Sequence, residues 1–187
     1  MKTKLLLFVT LLMVMSVNAA ERESLIKGDV IHGGFGGPAV KITQIDGDIN
    51  YMVGGRGAWL VNHQFYLGGA GYGPAREIGD HGVELGYGGV WAGMKFNPTK
   101  LVHFSADILI GAGDLNKNYR SNNNTSNAND TLFIVEPGAN LNINITDYAE
   151  LVFSASYRLV NGSDHATLSD SDLSGATFTA GVMFGRF

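Results

Sequence analysis

Residues 131–145 constrain the fold more than any other part of the chain. Read two at a time, they set Phe133, Val135, Pro137, Ala139, Leu141, Ile143 and Ile145 on one side and Glu136, Gly138, Asn140, Asn142 and Asn144 on the other. A period of two is that of a β-strand, whose successive side chains point to opposite faces. The run is longer than the usual strand of a small soluble sheet, and its polar side carries a carboxylate and amides rather than neutral filler. Two environments fit. If the apolar side meets a protein core, the polar side faces water. If it meets lipid, the polar side lines a closed barrel.

The alternation recurs. In 101–113, Val102, Phe104, Ala106, Ile108, Ile110 and Ala112 share a face opposite His103, Ser105 and Asp107. In 148–160, Ala149, Leu151, Phe153, Ala155, Tyr157 and Leu159 lie opposite Glu150, Ser154, Ser156 and Arg158. In 48–60, Ile49, Tyr51, Val53 and Trp59 lie opposite Asp48, Asn50 and Arg56. Each of these strands has charge on its polar face, and Tyr51, Trp59, Tyr148 and Tyr157 fall toward strand ends, where an aromatic girdle would meet membrane interfaces. After a leader at 21–27, the pattern predicts eight strands, at 29–42, 48–60, 64–73, 82–96, 101–113, 131–145, 148–160 and 173–187. No window reads as a helix, because glycine and β-branched or aromatic residues interrupt each one.

The joins alternate in length. Those at 61–63, 97–100 and 146–147 are tight, those at 74–81, 114–130 and 161–172 are long, and only the first, at 43–47, is short where a long one is expected. Tight turns at one end and long loops at the other is the layout of an outer-membrane barrel, which puts both chain ends on the periplasmic side. The Asn-rich run 122–129 in the longest loop has too little apolar surface to order itself. Asp164, Asp170 and Asp172 make a weak calcium site conceivable, but their spacing lacks a full oxygen cage, and a solvated loop tip is the simpler reading.

The N-terminus has the three parts of a secretory signal peptide: Lys2 and Lys4, an apolar run at 5–17, and small residues ending at Ala19 and Ala20 before Glu21. This predicts a signal peptide at 1–20 and a single barrel domain at 21–187. No later apolar run approaches the ~20 residues of a transmembrane helix, so only a closed sheet could span a bilayer, since lipid leaves no partner for free backbone groups. The chain has no cysteine, which removes disulfides from the argument. Without Lys2 and Lys4, 11 basic residues face 17 acidic ones, which makes nucleic acid a poor partner.

Two register expectations follow from parity. A three-residue turn at 146–148 makes opposed residue numbers sum to 294 and sets Glu136 opposite Arg158 inside the barrel. In 82–96, Val83, Leu85 and Tyr87 have one parity while Val90, Ala92, Met94 and Phe96 have the other, so a bulge at Gly88-Gly89 is expected to restore one outward face.

Glycine clusters at 33–37, 54–57, 68–73 and 86–89 complete no nucleotide-binding spacing. They fit relief of crowding in a tightly curved wall, room for large neighbours such as Trp59, Trp91 and Tyr72, or a groove for a lipid or other ligand. His103-Phe104-Ser105 resembles the His-x-Ser pair of the outer-membrane lipid A deacylases, where the pair works at the lipid-facing surface; here alternation turns both residues inward, as an interior polar pair. His32, His63, His81 and His165 are scattered and show no metal spacing.

Signal peptide, eight alternating strands and the terminal aromatic Phe187 together resemble the small eight-stranded outer-membrane barrels of the OmpX and OmpA-transmembrane-domain type. The fold expected is an all-β, eight-stranded antiparallel up-and-down transmembrane barrel. One departure is Gly185, where that family tends to have an aromatic residue, and Phe178, Ala180, Val182 and Phe184 are out of phase with Phe187. The last strand is therefore either kinked or faces outward on its other parity. An eight-stranded barrel is filled by side chains, and Arg56, Asp107, Glu136, Glu150 and Arg158 are expected to form a structural network inside it. No catalytic, cofactor-binding or metal site is assigned. The reading is a bacterial outer-membrane protein, monomeric, with membrane lipid and an extracellular partner at its loops. The alternatives are a lipid-modifying enzyme and a small-ligand or lipid carrier.

Overall fold

A computed structural model describes residues 29–45, 47–75, 83–117, 130–162 and 169–187. Each predicted segment forms a strand: β1 (His32–Ile45), β2 (Asp48–Val61), β3 (Phe65–Pro74), β4 (Val83–Phe96), β5 (Val102–Lys117), β6 (Asp130–Thr146), β7 (Ala149–Asn161) and β8 (Gly175–Arg186). Every strand pairs antiparallel with its sequence neighbours, and β8 closes on β1. The expected signal peptide, the Asn-rich run 122–129 and Asp164 lie outside the described residues.

Turn chemistry sets one end of the barrel. Asn62 and His63 both have positive φ, 52° and 57°, and the Gln64 amide donates to the Val61 carbonyl at 3.0 Å. Two left-handed residues match the right-handed twist of the flanking strands. Asn97, with φ 53°, opens the β4–β5 turn, where the Lys100 amide returns to the Asn97 carbonyl at 3.0 Å. These turns, the β6–β7 turn and both ends of the barrel wall share one end, called the turn end here. The loop end carries the 46–47 turn and the three longer joins.

The faces follow the alternation. Phe104 is 63 % exposed on the outside, whereas Glu136 is 6 % and Arg158 0 % exposed inside. The β6–β7 register sums to 294 on both sides of Glu136 and Arg158, with Val135 opposite Leu159 and Gly138 opposite Ser156, and one irregularity follows at Asn144 to Thr146. Two stretches of ladder are interrupted without a change of register, at Pro137 between β6 and β7 and at Pro38 between β1 and β8. Proline has no N–H to give, so the interruption is local.

Two expectations are corrected and one open alternative is decided. β4 has no bulge: its register with β3 and with β5 is constant through Gly88-Gly89. Leu85 and Tyr87 instead point inward with Trp91 and Lys95, all buried, because this part of the lumen takes large side chains. β8 is not kinked, since its pairing with β7 and β1 is regular. Phe178 and Phe184 face out, and Phe187 turns inward against Phe35, ring centroids 5.4 Å apart. Finally, residues 170–173, read as loop and strand start, form one helical turn, α1 (Asp170–Leu173), with Leu173 fully buried.

Candidate functional site in the barrel lumen

The inward residues form three layers. At the turn end, Phe35, Tyr66, Trp91 and Phe187 pack as an aromatic plug, with Trp91 and Tyr66 centroids 4.6 Å apart. At the loop end, Ile45, Met52, Leu85, Leu132, Val160 and Leu173 form an apolar collar. Charged and polar groups lie between and beside these two seals.

Glu136 on β6 is the centre of the middle layer. It receives Lys41 Nζ at 2.7 and 3.0 Å, the Tyr87 hydroxyl at 2.6 Å and the Ser156 hydroxyl at 2.7 Å. Lys41 also donates to the Tyr87 oxygen at 2.8 Å and lies over the Tyr72 ring, 3.7 Å from its centroid. Arg56 donates to the Ser154 hydroxyl at 3.2 Å and stacks 5.0 Å from Trp91, while its buried Nε has no hydrogen-bond partner among the described residues. Asp107 accepts from Asn140 at 2.8 Å and from Tyr66 at 3.3 Å.

Nearer the turn end, Lys95 meets Glu150 at 2.6 Å and lies over Phe35 and Phe187, 4.7 and 4.4 Å from their centroids. His103 Nε2 stands 3.8 Å from Glu150. Nearer the loop end, Arg158 donates to the main-chain carbonyls of Leu173 at 2.8 Å and Gln44 at 3.2 Å.

Thus the residues singled out from the sequence all point inward, but they do not form one cluster. Glu136 and Arg158 face each other in register, yet the ion pair of Glu136 is with Lys41. Lys41 and Lys95 escaped the sequence reading, although each carries the inward parity of its strand: Lys41 lies between inward Ala39 and Thr43, and Lys95 follows inward Trp91 at an even spacing. His103 and Ser105 are both buried inside, and the Ser105 hydroxyl accepts from Asn140 and Asn142 at 3.0 and 2.9 Å, so the pair does not reach the outer surface. Among the described residues no group of three metal-ligating side chains occurs.

A cavity of ≈ 20 Å³ remains beside Lys41, Arg56, Tyr72, Trp91, Asp107 and Glu136. It has room for about one water, far below the ~300–1,000 Å³ of a small-molecule pocket. Glycine on the curved wall makes space for the aromatic filling. A Cβ on Gly54 would come within 2.7 Å of the Tyr72 ring, and one on Gly93 would strike the Tyr66 ring.

These features define the class by fold: a small eight-stranded barrel of the outer-membrane type, with ionised groups inside and an apolar exterior. Among solved structures the chain is similar to the Neisserial surface protein A, at 12% identity and TM-score 0.61, covering 86% of this chain and 100% of that one. It is also similar to OprG, an outer membrane protein of Pseudomonas aeruginosa, at 8% identity and TM-score 0.56, covering 86% and 98%. A third is Ail, the attachment invasion locus protein of Yersinia pestis, in complex with the heparin analogue sucrose octasulfate, at 16% identity and TM-score 0.54, covering 82% and 97%. No protein-family model matches the chain, and neither does any curated protein.

Proposed function

We propose that this chain is a bacterial outer-membrane barrel, exported by its N-terminal signal sequence, whose filled lumen is structural and whose role is interaction through the segments at the loop end. The observation that carries this reading is the reversal of polarity across the wall. Val53, Leu67, Val90, Phe104, Phe153 and Phe178 face outward and exposed, while Lys41, Arg56, Glu136, Glu150 and Arg158 are buried within. In water the hydrophobic effect opposes the exposure of that outer face; in lipid the outer face lies in its favoured medium.

Dimensions agree. The outward run from Phe133 to Ile145, at about 3.3 Å per residue on a strand tilted about 40°, rises roughly 30 Å, the thickness of a hydrocarbon core. Exposed Tyr51 and Tyr157 toward the loop end and Trp59, Phe96 and Tyr148 toward the turn end sit where interface girdles belong.

Arg56, Asp107, Glu136, Glu150 and Arg158 then serve, in separate groups, to hold the barrel, with Lys41 and Lys95 as the counter-charges of Glu136 and Glu150. A lumen sealed at both ends does not suit bulk diffusion. The loop-end joins are rich in amides and hydroxyls, notably at 121–129, which suits hydrogen bonding to an external partner; the neighbour Ail carries a bound heparin analogue in its complex.

Cell fractionation with a heat-modifiability gel tests the reading. The expected result is outer-membrane recovery and a compact band in detergent that slows only after boiling. Recovery in the soluble fraction, with one mobility, would sink it.

A further inference from the structure

We propose that α1 is a stopper for the loop-end mouth of the lumen, held in place by Arg158, and that its release admits solvent to the polar chamber beneath. The barrel wall is tied by ladders on both edges of every strand. By contrast, α1 is a single turn, too short to be stable by itself. Among the described residues, three attachments meet at Leu173 and Ser174. The Leu173 side chain fills the collar, its carbonyl accepts from Arg158 Nε at 2.8 Å, and the Ser174 hydroxyl accepts from the Val160 amide at 3.0 Å. The same guanidinium reaches the Gln44 carbonyl at 3.2 Å, so one side chain ties β7, α1 and β1 across the mouth.

This tie is weaker than those deeper in the lumen. Lys41 and Lys95 each meet a carboxylate, whereas no ion pair joins Arg158 to a described acid. Its buried Nη1 also has no hydrogen-bond partner among the described residues. Besides the two carbonyls, its guanidinium carbon lies 5.7 Å from the centroid of the Tyr87 ring, and a buried cation held by carbonyl dipoles and a ring face recovers less of its desolvation cost than one in an ion pair. Elements with few buried contacts are the first to open.

Opening uncovers a polar surface. Beneath the collar lie Thr43 and Thr177, their hydroxyls 3.1 Å apart, and then the group of Tyr87, Lys41 and Glu136. An apolar constriction excludes water only while its ring is complete, and among the described residues Leu173 is the member of this ring that the wall does not supply. Stopper, collar and chamber all lie within the lumen, so their relation is the same whichever medium surrounds the barrel.

The chain has no cysteine, so Thr43→Cys places a single thiol under α1 and Ser105→Cys places one nearer the turn end. Maleimide reaction is followed on the full chain folded in detergent micelles, with gel mobility reporting the fold. With Arg158 present, the thiol at position 43 is expected to react at least about tenfold more slowly than in the unfolded chain, as a protected site does. Arg158→Met is expected to raise that rate about tenfold and leave the thiol at position 105 unchanged, as local opening requires. A fast reaction at position 43 with Arg158 in place, or no acceleration in a folded Arg158→Met barrel, overturns the proposal. If Arg158→Met does not fold, Leu173→Ser is read the same way: acceleration at position 43 alone supports the stopper, whereas no acceleration, or equal acceleration at both thiols, overturns it.

Discussion

Lys41 Nζ and Glu136 Oε1 form an ion pair at 2.7 Å that joins β1 to β6, two strands that share no edge. Both side chains are buried, so removing one leaves the other charged and without its counter-ion inside the barrel. Such a loss costs about 3–5 kcal/mol, whereas replacing both members by apolar groups of similar volume is often neutral. Glu136→Leu is therefore expected to lower the denaturant midpoint of the folded barrel strongly, and Lys41→Met/Glu136→Leu to restore most of it. Equal destabilisation in the single and double variants would show that the two do not act as a pair.

The outer wall gives the converse expectation. Ile108 faces outward near the middle of β5, opposite Ala92 and Pro137 on its neighbours. An arginine at the midplane of a transmembrane barrel costs about 2–4 kcal/mol, and less toward the interfaces. Ile108→Arg is expected to reduce the fraction folded in phospholipid vesicles by that amount, and Tyr148→Arg, at the turn end, to have little effect. Vesicle-folding titrations that fail to rank the two in this order would contradict the embedded reading.

Two glycines of β3 separate close packing from open surface. A Cβ on Gly68 would come within 2.8 Å of Ala58 Cβ and would also meet the Gly57 carbonyl, whereas one on Gly73 meets nothing within 4 Å. Gly68→Ala forces the β2–β3 wall apart, which belongs with overpacking changes of ~1–3 kcal/mol. Gly73→Ala is expected to be neutral or to stabilise by up to ~1 kcal/mol through the unfolded chain. The difference in denaturant midpoint between the two variants checks this.

The strands, their closure into a barrel and their inward faces are legible in the sequence, and the contacts across the lumen are not. Parity along one strand fixes which side chains share a face, and a turn fixes its own register; the inward set of β5, β6 and β7 and the sum of 294 follow from these alone. Which inward groups touch depends on how the sheet wraps. Glu136 and Lys41 are 95 residues apart, and nothing along either strand specifies that they meet across the lumen. The expected bulge in β4 failed for a related reason. Leu85 and Tyr87 are apolar by composition, and a one-strand pattern reads them as outward, but a small barrel needs bulk at its axis, and Tyr87 brings a hydroxyl to Glu136. Phe187 is likewise a terminal aromatic whose phase the strand pattern leaves open; it plugs the turn end, where Lys95 stands over its ring. The helical turn α1 has no periodicity to detect in so short a segment.

The start of α1 is set by a charge that titrates. The Ser169 hydroxyl and amide donate to Asp172 Oδ2 at 2.7 and 2.9 Å, and these bonds, the hydroxyl first, hold the Asp172 carboxyl below the usual carboxylate range. A carboxylate whose value is depressed in the folded form stabilises it above the unfolded value of about 3.9, and that contribution is lost as pH falls through the folded value. The α1 cap is therefore at full strength at neutral pH and weakens only in acid. The amide of Ser174 reports it, because it donates to the Asp170 carbonyl at 3.0 Å within the turn. Its hydrogen-exchange protection, taken relative to the Asn144 amide on the wall, is expected to fall between pH 5 and pH 3. In Asp172→Asn, protection is expected to be lower at neutral pH and flat across that range, because the titrating acceptor is gone. Loosening with rising pH, or the same acid-induced loss in Asp172→Asn, would mean that another group holds the turn.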